Sequence, residues 1–196
     1  VDIIHGRCVL GARKGQGHGL FLHDISEWTL GYLVGNTWNP DMVAYTDHII
    51  RLSETYCGEY FSTSAEATPF ETLLAQVMDQ MTRYETKKYK TQRLIGFAAA
   101  PDTDFLTYED RYAPQLNKYC SIDAEHIRPT EALISGYYAA YWMYDFCEDF
   151  SAYLSQEQMA ELSDILVSLN KDSSYNGYLE LLSQYHSMPV ILSGYG

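Results

Sequence analysis

The chain has 196 residues, enough for one domain with a sizeable core and too few for a comfortable second one. Hydrophobic residues make up 46% and charged residues 20%, which excludes a disordered chain. With 13 basic against 26 acidic residues the formal net charge is -13, so a nucleic-acid backbone would be repelled and nucleic acid is excluded as a partner.

The first residues, Val1-Asp2-Ile3-Ile4-His5-Gly6, have neither the basic start nor the long apolar stretch of a signal peptide. They read as a buried strand stub over residues 2–5, with His5 at its end, placed to line a pocket. Gly11 to Gly19 is glycine-rich but carries no nucleotide-binding pattern, and it reads as a loop. Residues 29–35, Thr-Leu-Gly-Tyr-Leu-Val-Gly, form a short apolar run of the kind buried on both faces of a parallel sheet. A helix follows at once, with Asn39 as its cap, Pro40 in its first turn and Asp41 at its positive end.

Thr68-Pro69-Phe70-Glu71 is a capping box, and Phe70, Leu73, Leu74, Val77, Met81 and Tyr84 recur after it at helical spacing. Residues 93–100 read as a second buried strand, and a polar loop of about twenty residues starts at Pro101. Residues 138–144 are aromatic and read as a third strand. Ser155-Gln156-Glu157-Gln158 is read as a further capping box, opening a helix with Met159, Leu162, Leu166 and Leu169 on one face. A helix over 178–185 and a last apolar strand over 188–193 complete the series, ending in Gly194-Tyr195-Gly196.

Strands that alternate with helices in this way predict an α/β fold of parallel strands joined by helical crossovers, in a single domain over 1–196. No apolar run is long enough to predict a membrane span. Cys8, Cys57, Cys120 and Cys147 are far apart and read as ordinary thiols, which leaves the compartment open. The six histidines show no His-x-x-x-His spacing, and no metal or other cofactor is expected. The 18 tyrosines, several of them within apolar runs, suit both packed interfaces and sugar-binding clefts.

Two stretches carry a more specific signal. Gly35-Asn36-Thr37-Trp38-Asn39-Pro40 follows the first long apolar run, and Pro189-Val190-Ile191-Leu192-Ser193-Gly194-Tyr195-Gly196 is the last one. Together they resemble the ends of the fourth and seventh strands in retaining glycoside hydrolases of the TIM-barrel superfamily, the group that includes cellulases and domains related to β-galactosidases. In that group the fourth strand ends in Asn-Glu and the seventh in Ser-Glu-Phe-Gly. Two predicted strands lie between the motifs, the number that separates a fourth strand from a seventh. The resemblance implies a partial (β/α) TIM barrel, roughly strands 3 to 7 with their helices.

The departures fall on the chemistry. A retaining enzyme needs a carboxylic acid to protonate the leaving oxygen and a carboxylate roughly 5–5.5 Å away to attack the anomeric carbon. Thr37 and Gly194 stand at those two places, and neither can do that work. No catalytic residue is therefore assigned. Asp102, Asp104, Asp145, Glu148 and Asp149 follow predicted strands and are the remaining acids near that face.

What the resemblance implies is a carbohydrate-active domain that is catalytically degenerate and at most binds oligo- or polysaccharide. The residues expected to touch sugar are His5, Asn36, Thr37, Trp38, Tyr141, Tyr144 and Tyr195, with Trp142 more in the role of packing. The alternatives are an active hydrolase drawing on other acids, or a purely structural or interaction domain. A barrel needs eight strands, so the chain reads as a fragment whose open edges invite self-association.

Overall fold

The computed structural model describes residues 1–50, 55–144 and 146–195. Strands β1 (Cys8–Leu10) and β2 (Gly19–Phe21) form an antiparallel hairpin across the glycine-rich stretch. Strand β3 (Gly31–Val34) runs into helix α1 (Pro40–Ile49), where the Asn39 side chain accepts from the Asp41 and Met42 amides. Strand β4 (Phe61–Thr63) precedes the long helix α2 (Pro69–Tyr89), whose capping box is complete: Thr68 accepts from the Glu71 amide and Glu71 from the Thr68 amide. Strands β5 (Leu94–Ala99), β6 (Ile127–Pro129) and β7 (Tyr137–Trp142) follow, then helices α3 (Gln156–Glu161), α4 (Ser163–Ser168) and α5 (Tyr175–Tyr185), and strand β8 (Val190–Gly194).

The fold is mixed α/β around a four-stranded sheet in the order β3-β5-β7-β8, every pair parallel. Alternation along the strands divides the side chains between two faces. Tyr32, Val34, Ile95, Phe97, Ala99, Tyr137, Ala139, Tyr141, Val190 and Leu192 join the main core with Phe70, Leu74 and Met78 of α2 and Tyr178, Leu181 and Leu182 of α5. The other face carries Leu94, Ala98, Tyr138 and Ala140 in a smaller cluster, flanked by exposed Leu33 and Ile191. No helix among the described residues is long and apolar enough to cross a membrane.

Three expectations from the sequence change here. Residues 2–4 are a turn rather than a strand, with the Ile4 amide donating to Val1 O and the Gly6 amide to Ile3 O, while His5 forms an isolated antiparallel bridge with Asp24 and Ile4 O accepts from the Ile25 amide. The single helix expected after Ser155 is two, because Leu162 takes ψ 7° and turns the axis; Leu162, Leu166 and Leu169 stay buried while Met159 is exposed. Between β5 and β7 the described residues contain no α-helix.

That connection, residues 100–136, is held by buried polar groups instead. Asp104, 0% exposed, accepts from the Lys118 ammonium at 2.7 Å, from the Leu106 amide at 2.9 Å and from the Tyr178 hydroxyl of α5. Glu71, 1% exposed, accepts from the Asp123 amide at 2.6 Å and the Thr68 amide at 2.8 Å, and its other contact is His126 Nδ1 at 2.8 Å. Asp123 in turn accepts from the Tyr185 hydroxyl. Burial pushes the Glu71 carboxyl up, and the bond from Glu71 lifts His126. A helical crossover satisfies its own backbone; this one borrows carboxylates from α2 and from itself.

Removing a buried carboxylate strands the donors it serves, at about 3–5 kcal/mol when the set includes a charged partner. The Glu71→Ala variant is expected to lose stability of that order in a denaturant titration, with Glu71→Gln intermediate. A loss below about 1 kcal/mol would show that the crossover does not depend on this residue.

Candidate functional site at the carboxyl ends of the parallel strands

All four parallel strands point the same way, so their carboxyl ends form one edge. At the end of β3 the chain turns through Gly35, whose φ of +73° suits glycine, and a side chain there would begin 2.2 Å from the Trp38 ring. Trp38 is thereby folded back over the sheet. Its indole N–H donates to Ala98 O of β5 at 2.7 Å, and its ring meets Phe70 edge-on at 5.2 Å. Asn36 and Thr37 are left exposed on the outside of this turn.

At the end of β7 the register shifts between Tyr141 and Trp142, so that Trp142 pairs with Gly194 of β8. The Trp142 and Tyr144 rings lie 4.8 Å apart and inclined at 46°. Both converge on Gly194: a side chain there would begin 2.6 Å from Trp142 Cε3 and 2.9 Å from Tyr144 Cε2. The place where the resemblance puts a carboxylate is therefore filled by aromatic rings. Tyr144 is 54% exposed and Tyr195, just beyond Gly194, 69%. Beside them the Ser193 hydroxyl is buried with no hydrogen-bond partner among the described residues.

Five of the seven candidate residues thus belong to this edge: Asn36, Thr37, Trp38, Tyr144 and Tyr195. The other two lie elsewhere. Tyr141 faces the helices, fully buried, with its hydroxyl 2.5 Å from His186 Nε2, and desolvation drives its pKa far up. His5 sits at the amino ends of β3 and β5, stacked on Tyr89 at 3.6 Å and 3.0 Å from the buried Glu85 carboxylate. Glu85 also accepts from Tyr32 at 3.0 Å and from Arg93, which reaches back to Thr29 O and Ser26 O. That cluster ties the N-terminal segment to α2 at the opposite edge of the sheet.

The acids divide in the same way. Asp104 is committed to Lys118 and Tyr178 beneath the sheet. Asp102 lines a cavity of about 390 Å³ with Pro101, Tyr108, Phe146 and Cys147. Glu148 and Asp149 line another, of about 680 Å³, with Tyr175 at the start of α5. Asp145 lies outside the described residues, as does Gly196. No group of three His, Cys, Asp or Glu side chains among the described residues is arranged to hold a metal ion.

Sequence reasoning missed the buried sets around Asp104 and Glu71, because their members lie far apart in the chain. Glu71 gave the only local signal, and the capping box accounted for it completely. What the strand-end edge offers is aromatic surface, an amide, and hydroxyls. That set can cover apolar C–H faces and exchange hydrogen bonds with hydroxyls, and it supplies no proton at neutral pH.

The packing over Gly194 has a direct consequence. Gly194→Ala is expected to destabilise the protein by about 1–3 kcal/mol by overpacking, and Trp142→Ala in the same chain should recover part of it. Equal melting temperatures for the parent and Gly194→Ala would show that the rings do not occupy this space.

Comparison with known proteins leaves the site to its own residues: no family model, curated protein or solved structure matches the chain.

Proposed function

We propose that the sheet is an arc of a (β/α) barrel, its four strands corresponding to the fourth through seventh of eight, and that the protein is a glycoside-hydrolase-like domain that binds carbohydrate without hydrolysing it. The observation that carries this reading is the strand order. In β3-β5-β7-β8 each strand is added beside the last, whereas a doubly wound sheet reverses direction at a switch point. The two motif-bearing turns, after Val34 and at Gly194, then fall on one edge at the first and fourth strands, the separation that the resemblance requires.

The chemistry follows from what stands there. With Thr37 and Gly194 in the two key places, no pair of carboxylates can be set 5–5.5 Å apart across a glycosidic bond. Restoring both glutamates would not by itself restore a site, since the Trp142 and Tyr144 rings fill the approach to position 194. Aromatic rings with an amide and hydroxyls beside them are nevertheless a sugar-binding set.

The purified protein is expected to release no aryl group from aryl β-glucosides, β-galactosides or β-mannosides above the buffer rate, while retaining at least one oligosaccharide on a glycan array. Turnover that disappears in Asp102→Asn or Glu148→Gln would identify an active hydrolase using other acids. Absence of binding to every glycan would remove the carbohydrate reading.

A further inference from the structure

We propose that the β1 and β2 hairpin is a membrane-surface contact, its apolar side resting in the headgroup layer of a bilayer and its basic tip holding anionic lipid. The hairpin follows His5, away from the strand-end edge, and its role is separate from carbohydrate binding. An antiparallel hairpin on a protein surface ordinarily turns polar side chains to water. This one turns leucines and valine outward. Val9 and Leu20 stand opposite each other in the ladder and Leu22 follows two residues on, so the three share one side, and they are 65%, 71% and 63% exposed. Leu10, on the other side, is exposed as well.

The charge is equally out of keeping with the rest of the chain. Against a net charge of -13, residues 3–23 carry Arg7, Arg13 and Lys14 and no aspartate or glutamate. Arg13 and Lys14 stand in the turn at the tip, where the Gln16 amide donates to Arg13 O at 3.1 Å and Gly15 takes φ +77°. None of the ion pairs among the described residues engages these three cations. The tip reaches into open space: a side chain added at Gly11, Gly15 or Gly17 would meet nothing within 4 Å.

Outward apolar side chains beside unpaired cations suit the interface of an anionic bilayer, which takes up the first in its acyl boundary and the second among its phosphates. A protein partner would need a strand edge or a groove. β1 and β2 have three residues each, too short to hold an added strand in register. The hollow at the hairpin's base, about 530 Å³, is lined mainly by Val1, Ile3, Cys8, Val77, Met81 and Tyr84, and the Asp2 carboxylate beside them is already engaged by Tyr84, Lys88 and Tyr89. It offers room to a lipid chain and few partners to a peptide backbone. The acids of the body do not oppose the contact. The strands alone carry the tip about 10 Å from their base, past the Debye length of about 8 Å at physiological salt.

The test is co-sedimentation of the full chain with vesicles of phosphatidylcholine alone and of equal parts phosphatidylcholine and phosphatidylserine. The double variants Arg13→Ser with Lys14→Ser and Leu20→Ser with Leu22→Ser are run beside the parent; all four residues are exposed, and thermal melts check that the fold is kept. The expected result is binding of the parent to the mixed vesicles, at least tenfold weaker to phosphatidylcholine alone and at least tenfold weaker in each double variant. In the parent itself, added salt should weaken binding without abolishing it. No sedimentation of the parent with mixed vesicles would overturn the proposal. Binding kept in full by the leucine variant would overturn insertion and leave an electrostatic surface suited to an acidic protein. Binding of the parent that is equal on both kinds of vesicle would overturn the role of the basic tip.

Discussion

The structure depends on charge buried between β5 and β7. Parallel neighbours need a long connection, and a helix is the usual one because it satisfies its own backbone. Residues 100–136 contain no α-helix, only a single 3-10 turn at Ala124–His126, yet they pack against the core face of the sheet with Phe105, Leu106, Ile122 and Ile127 buried. Glu71 and Asp104 make that possible by accepting from amides, hydroxyls and an ammonium that would otherwise be buried without partners. Each buried ion costs several kcal/mol of desolvation, so the arrangement contributes specificity of shape more than net stability. It fixes one path for a segment that hydrophobic contact alone would leave with several.

From that constraint follows the geometry of the strand ends. Tyr178 joins Asp104 to α5, and Tyr185 joins Asp123 to the end of the same helix, so hydrogen bonds tie the connection to the last helix at two places. α5 leads directly into β8, whose end meets the end of β7 at Trp142 and Gly194. The polar sets lie on the helix side, whereas the Trp142 and Tyr144 rings meet at the strand ends. Tyr141 and Trp142, adjacent in the chain, illustrate the division: one is sealed against His186 and the other packs over Gly194.

Much of this was legible in the sequence wherever the signal was local. The capping box at Thr68 and Glu71, the Asn39 cap with Pro40, and the apolar runs that became β3, β5, β7 and β8 all depend on neighbours within a few residues. What was not legible depends on distant partners. The β4 and β6 pair joins Phe61 to Pro129 and Thr63 to Ile127, and three-residue strands give too short a pattern to read. The β1 and β2 hairpin leaves Val9, Leu10 and Leu20 exposed, so its apolar residues did not alternate into a face. His5 looked like the end of a strand, but Gly6 at φ +62° turns the chain and Glu85, eighty residues away, decides where its ring goes. Tyr141, expected among the sugar-touching residues, is adjacent to Trp142 in β7, and alternation with the packing of α5 withdraws it into the core.

The central claim is that sugar meets the protein at the carboxyl ends of β7 and β8. The chain has three tryptophans, and their positions make them separate reporters: Trp28 is exposed near the amino ends of the strands, Trp38 is bonded to Ala98 O, and Trp142 lies over Gly194. Indole N–H resonances, assigned by replacing each tryptophan with phenylalanine, would be followed by nuclear magnetic resonance during addition of a β-1,4-linked hexasaccharide. The account predicts a progressive shift at Trp142, a smaller one at Trp38 and none at Trp28. A shift confined to Trp28, or no shift at any of the three at millimolar hexasaccharide, would contradict it.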